Sequence, residues 1–342
     1  MERFSPFNTH TLRGVGRRSW ASGRFWASGR FWLNASLARL CLGMAIWMGL
    51  GMGQTALAQG LDGAATTATH FQRIIFLASA DSRLHQEVFQ GLARTLPRDK
   101  EPVFTAMESP DAALWIQSAD CHNCLIITSG TRAAESAQSQ TRKARVLSIT
   151  VPTISYERVM GSRDDDPRFA AIFMDIPLER RMEIVRRHVP VLHRFAIVQS
   201  PGFGTNLDNT SLREKDDPQS LLRFAAEEDD LIPAFIRASR EADAIITVPD
   251  RRIYNPRTIV SIMMTTYRQG TPLIGHSEAL HRAGALMSIH SPPQALGREA
   301  GQFILSLNGP DGWVAVRRHT QVHQVSINHQ VARSLRITVE EP

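Results

Sequence analysis

The sequence predicts an α/β protein of two lobes, each built on a doubly wound parallel sheet. Three observations carry that reading. The 342 residues exceed the span of one ordinary hydrophobic core. From residue 71 onward short apolar runs alternate with amphipathic ones, which is the pattern of strand-helix units around a parallel sheet. The alternation then starts afresh near Asp175, so a second series fits better than a long appendage.

In the first series "RIIFLAS" (73–79) reads as a strand. "RLHQEVFQGLARTL" follows, with Leu84, Val88, Leu92 and Leu96 at helical spacing. "LIIT" (125–128) reads as the next strand, a helix begins at about Thr131, and "RVLSIT" (145–150) closes this series. The second opens with "DIPLERRMEIVRRHVP", in which Asp175 is a candidate N-cap, Pro177 stands near the first turn, and Leu178, Met182, Val185 and Val189 share a face. Then come a strand in "RFAIVQS" (194–200), a pair of helices across 218–241, a strand in "DAIITVP" (243–249), a helix over 256–268 and a strand in "TPLIGHS" (271–277). The polar stretches 161–169 and 202–219 read as surface loops.

Charge and leader exclude some function classes. The net charge of +6 is concentrated in residues 1–58, which hold seven arginines and one acid and so leave 32 basic and 32 acidic residues in the body. A neutral body has no electrostatic footprint for nucleic acid. The arginine-rich stretch precedes "LCLGMAIWMGLGMG" and then "TALAQ", the order of a signal peptide with Ala56 and Ala58 at the cleavage site. Residues 1–58 are therefore expected to be a signal peptide cleaved after Ala58, with 59–70 as a linker and the mature chain in the periplasm. The apolar run is shorter than the roughly 20 residues a membrane-spanning helix needs. Cleavage leaves Cys121 and Cys124 of "DCHNC" as the remaining cysteines. In an oxidising compartment this pair is either a small structural disulfide or two free thiols.

No catalytic constellation emerges. There is no G-x-S-x-G elbow. "PGFGTNL" has Leu207 where a dinucleotide fingerprint needs its third glycine. His319 and His323 lie in a strand-like stretch, where a spacing of four does not make a metal pair. A protein that is not an enzyme, with no cofactor and no metal, is expected.

"VPDRRIYNP" (248–256) places polar residues just beyond a strand end, which is where open α/β sheets bind ligands. Asn255 is suited to capping the helix that Pro256 starts, and Asp250 either meets a ligand or faces solvent. The stretch continues into "PLIGHSEALHRAGALMSIHSPPQALGREAGQFIL", and the chain closes with "VSINHQVARSLRI". In their order these segments, with "IPLERRMEIVRRHVP" and "FAIVQSP" before them, resemble the substrate-binding proteins of ABC transporters. The resemblance is to the subfamily of tryptophan- and phenylalanine-type binders with a type I periplasmic-binding fold. It runs from about residue 71 to 342 and is strongest in the last hundred residues.

The resemblance implies two lobes joined by a multi-strand hinge: lobe 1 over 71–175 and 285–312, lobe 2 over 176–284 and 313–342. It implies a small-molecule ligand, amino-acid-like, caught as the lobes close, and a monomer that serves an ABC permease or, alternatively, a membrane sensor. By analogy Ser129, Gly130 and Thr131 at a helix N-terminus would receive a ligand carboxylate, with helix capping as the alternative use of Ser129. Asp250 would receive an amino group. Ser79, Asp81, Ser155, Tyr156, Gln199, Ser200, Tyr254, Ser277 and Glu278 complete the expected rim. The loop "ISYERVMGSRDDDPRF" and the C-x-x-C depart from the family's pattern.

Overall fold

A computed structural model describes residues 71–163, 165–204, 221–307 and 310–340. The expected signal peptide and linker lie outside the described residues, as does most of the 202–219 loop. Lobe 1 opens with β1 (Arg73–Ala78), α1 (Arg83–Ala93), β2 (Val103–Ala106), α2 (Ala112–Ser118) and β3 (Cys124–Ser129). It continues through α3 (Thr131–Gln140), β4 (Arg145–Ile149), α4 (Thr153–Met160) and β5 (Phe169–Phe173). Lobe 2 follows with α5 (Leu178–His188), β6 (Phe195–Gln199), β7 (Leu221–Ala225), α6 (Leu231–Glu241) and β8 (Ala244–Ile246). Then come α7 (Ile259–Arg268), β9 (Leu273–Gly275), α8 (Glu278–Ala283) and β10 (Met287–His290). The chain ends in α9 (Pro293–Ser306), β11 (Arg317–His319), β12 (Gln324–Ile327) and α10 (His329–Leu335).

The strands form two six-stranded sheets, β11-β5-β4-β3-β1-β2 and β12-β10-β9-β8-β6-β7. Every pairing is parallel except β10 with β12 at the edge of the second sheet. Burial on both faces makes the strands continuously apolar. In β1, Ile75 and Leu77 enter one core and Ile74, Phe76 and Ala78 the other. In β6, Phe195 and Ile197 face one core and Ala196 and Val198 the other. The predicted α/β fold of two doubly wound lobes is the one observed.

The chain passes between the sheets three times: at 174–177, between β5 and α5; at 291–292, between β10 and α9; and at 320–323, between β11 and β12. This strand exchange differs from the boundaries expected from sequence. Met287–His290 pairs with β9 and β12 in the second sheet, although 285–312 was assigned to lobe 1. Arg317–His319 pairs with β5 in the first sheet, although 313–342 was assigned to lobe 2. After the second passage α9 lies against α1. A Cβ on Gly297 would come within 2.0 Å of Val88 O, and one on Gly91 within 2.1 Å of Gln294 O, so the two backbones touch where only glycine fits.

Other differences are local. The first half of the helical pair expected across 218–241 is β7, which adds in parallel to β6 in spite of Arg223 in its middle. Of the α1 stripe, Val88, Leu92 and Leu96 are buried but Leu84 is 41% exposed, because it precedes the part of α1 covered by α9. Asp175 does not cap α5, whose N-cap is Pro177; its carboxylate instead accepts from Thr153 N at 2.7 Å and Thr153 Oγ1 at 2.9 Å. Helix α7 starts three residues after Pro256, with Thr258 as its N-cap, and Asn255 Oδ1 closes the preceding turn by accepting from Arg257 N.

Candidate functional site

The loop that follows β8 folds back onto the end of β6. Asp250 is 3% exposed, and one carboxylate oxygen accepts from both Ser200 N (2.7 Å) and Ser200 Oγ (2.6 Å). Its other oxygen accepts from Arg252 N at 3.0 Å. Tyr254 donates its hydroxyl to Val198 O at 3.1 Å, and burial, reinforced by Asp250, raises its pKa well above the usual phenol range. Gln199 Nε2 donates to Phe203 O. Four of the expected rim residues are thus brought together, but by bonds inside lobe 2.

A matching cluster ends the lobe 1 strands. Ser79 Oγ accepts from Ala133 N and so takes a free N–H of the α3 N-terminus. Ser129 is fully buried and shares hydrogen bonds of 2.7 Å with His85 Nδ1 and with Thr150 Oγ1. Gly130 has φ +91, and a Cβ there would lie 2.7 Å from Ser79 Oγ. Thr150, a β-branched residue, is itself left-handed at φ 53. Asp81 accepts from Gln86 at the exposed start of α1. Thr131 is the first residue of α3, and Ser155 lies half-buried on α4. Tyr156 packs edge-on against Phe173 with 1% exposure. Ser277 caps α8 through Leu280 N, and Glu278 pairs with Arg282 on the surface.

Between the lobes, where the chain passes from sheet to sheet, lies a cavity of about 270 Å³. Its lobe 1 wall is the start of α4 with the first passage, including Thr153 and Asp175. The lobe 2 wall is Arg181, Val248, Pro249 and His276, and His290 and His319 stand at the ends of β10 and β11. None of the thirteen expected ligand residues lines it.

Arg181 is its unusual member. It lies 4% exposed on the apolar stripe of α5, donating Nη1 to Thr247 O at 2.6 Å and Nη2 to Ile274 O at 3.2 Å, while Nε has no partner. Burial lowers its pKa to about 10, opposed by Tyr254 and Asp175, and it remains a cation at neutral pH. His276 Nδ1 is 2.8 Å from Thr247 Oγ1. Burial first, and the charge of Arg181 second, push its pKa down to about 3, so the ring is neutral. His290 is also lowered, chiefly by burial, with Nδ1 3.0 Å from Ser288 Oγ. His319 Nδ1 is 2.9 Å from Asp175 O and 3.7 Å from its carboxylate.

A sequence signal for Arg181 did exist. The positions Leu178, Arg181, Met182 and Val185 put a guanidinium on the helix face that the neighbouring residues mark as buried. Elsewhere Cys121 and Cys124 are joined by a disulfide. Among the described residues no group of three or more His, Cys, Asp or Glu side chains is arranged to hold a metal ion, and no helix is long and apolar enough to cross a membrane.

With this geometry in view, the sequence profile of ABC transporter substrate binding proteins matches residues 99–342. The chain belongs to that family. No curated protein matches this substrate-binding protein. Solved structures reproduce its fold at low identity. A ligand-free, open substrate binding protein with adhesive properties from Clostridium difficile has a TM-score of 0.61 at 12% identity, covering 79% of this chain and 96% of that one. An ABC domain from Streptococcus pneumonia in complex with L-Trp gives 0.55 at 15% with the same coverage. A conserved domain protein from Vibrio cholerae gives 0.53 at 17%, again with the same coverage. These are similarities of fold.

Proposed function

We propose that this substrate-binding protein is exported with removal of residues 1–58, captures a small solute between its lobes and delivers it to an ABC permease. The observation that carries the proposal is the cavity at the lobe passages, which both lobes line with polar as well as apolar residues. Its volume of about 270 Å³ falls just below the usual range of ligand pockets, about 300 to 1,000 Å³. Closure of one lobe on the other about the three passages would shut it, with the ligand favouring the closed state by its contacts to both walls. The function requires no covalent step.

An amino-acid-like solute is the favoured class. The sequence resembles the tryptophan- and phenylalanine-type subfamily, and one protein of similar fold is a complex with L-Trp. Thermal unfolding of the purified protein across amino acids, small carboxylates, nucleosides and sugars tests this. A ligand at a hundred times its dissociation constant adds about 2.7 kcal/mol of stability and raises the midpoint. An unchanged midpoint with every solute counts against solute capture.

A further inference from the structure

We infer that Glu299 is a positioning residue for lobe closure: it fastens the start of the third passage to lobe 1 and so confines the bending of the chain to three points. The inference rests on the solute-capture reading above and concerns how the lobes move, not what they hold. Glu299 lies on α9, which packs on α1 in lobe 1, and is 7% exposed. A carboxylate so buried needs its charge and its lone pairs met. One oxygen accepts from Arg318 Nη1 and, at 3.2 Å, from Gln321 N; the other accepts from Thr320 Oγ1 at 2.5 Å. All three donors belong to the end of β11 and the residues just after it.

Other bonds at the passages extend this anchor. Thr320 N donates to Phe173 O at the end of β5. His319 Nδ1 is 2.9 Å from Asp175 O, and the Asp175 carboxylate holds Thr153 at the start of α4. Ser291 Oγ of the second passage donates to Met174 O of the first at 3.2 Å. Met174, Asp175, Ser291, Thr320 and Gln321 thus form one bonded block on lobe 1, and Val322 N joins it through Thr320 Oγ1. The residues next along the chain belong to lobe 2: Ile176 packs in its core, and Gln324 pairs with His290 in its sheet. Among the described residues no hydrogen bond of Ile176 or His323 joins the block to lobe 2. The chain can therefore turn between Asp175 and Ile176, between His290 and Ser291, and at His323, which lets lobe 2 swing as one body. Without the Glu299 carboxylate the third of these points spreads back over 320–323, and the swing loses its definition.

The test reads lobe motion directly in the ligand-free protein. Spin labels at Glu135→Cys on α3 and Val260→Cys on α7, exposed positions of the two lobes, report the distance between them in a Cys41→Ser background. The wild type should give a narrow distribution and Glu299→Ala a broader one. Glu299→Gln, which keeps one acceptor oxygen, should fall between them, and Thr320→Val should broaden it less than Glu299→Ala. In hydrogen exchange the Gln321 amide of Glu299→Ala should open about tenfold faster, with the amides of β3 and β9 unchanged. The same distance distribution in wild type and Glu299→Ala overturns the inference. So does an equal rise in exchange throughout lobe 1, which would make Glu299 a plain stabiliser. If Glu299→Ala does not fold, Thr320→Val decides, and an unchanged distribution there overturns the inference as well. A wild-type distance that no amino acid, carboxylate, nucleoside or sugar shifts tells against solute capture, whereas the variants, compared without solute, judge Glu299 alone.

Discussion

Asp250 and Arg181 are both buried charges of lobe 2, at 3% and 4% exposure, and Tyr254 interacts electrostatically with each. Their surroundings differ in one respect. Asp250 accepts three hydrogen bonds, two from one residue and one from its own turn, and stitches the loop after β8 to the end of β6. Arg181 spends two hydrogen bonds on the backbone carbonyls of Thr247 and Ile274 and has a buried Nε with no partner. The carboxylate is fully tied into the scaffold, whereas the guanidinium is solvated by two backbone carbonyls and belongs to a residue of the cavity lining. Position beyond a strand end, the signal that pointed to Asp250 from sequence, does not distinguish the two.

The largest effect that would break this comparison is expected from Asp250→Ala. It leaves Ser200 N and the turn without their acceptor and should cost about 3 kcal/mol in denaturant unfolding. A cost below about 1 kcal/mol, accompanied by lost solute affinity, would return Asp250 to the ligand site. A second effect comes from pH. The folded pKa of His276, at about 3, lies below the ordinary 6.5, so the unfolded chain binds the proton more readily. Its contribution is complete above pH 6.5 and is lost as pH falls toward 3. His85, His290 and His323 are lowered too and act in the same sense. His276→Gln should therefore flatten, without abolishing, the fall in stability between pH 6.5 and 4; an unaltered slope would show that Arg181 and burial do not hold this ring neutral. The smallest effect is expected from Glu278→Ala. Its pair with Arg282 is exposed on both sides, so its loss should cost under about 0.5 kcal/mol and leave ligand affinity unchanged. A large drop in affinity would restore Glu278 to the rim.

The fold was legible because buried parallel strands are written as apolar runs. "LIIT" lies within β3, all six of whose residues are buried. Of the strands not read from the sequence, β7 holds Arg223, β11 is "RRH" and β12 lies half-buried at an edge, whereas β5 is buried throughout and β10 nearly so. The exchange of β10 and β11 between sheets leaves no trace in periodicity, since the side-chain pattern of a strand does not say which sheet it joins. The site was less legible for a related reason. Hydrogen-bond capacity identifies serines, acids and tyrosines near strand ends, but whether that capacity is already spent depends on partners such as Ser200 and Asp250, 50 residues apart. Arg181 was readable only as a violation of its helix's own pattern.

The interleaving of the two sheets bears on how the chain comes to be folded. The edge strand of the first sheet, β11, lies close to the C-terminus, although its neighbour β5 precedes the whole of lobe 2. The helix α9, whose backbone meets that of α1 at paired glycines, likewise emerges after lobe 2. Neither half of the molecule can therefore finish during synthesis while the rest is still being made. The N-terminal lobe waits unfinished until α9 and β11 have been made.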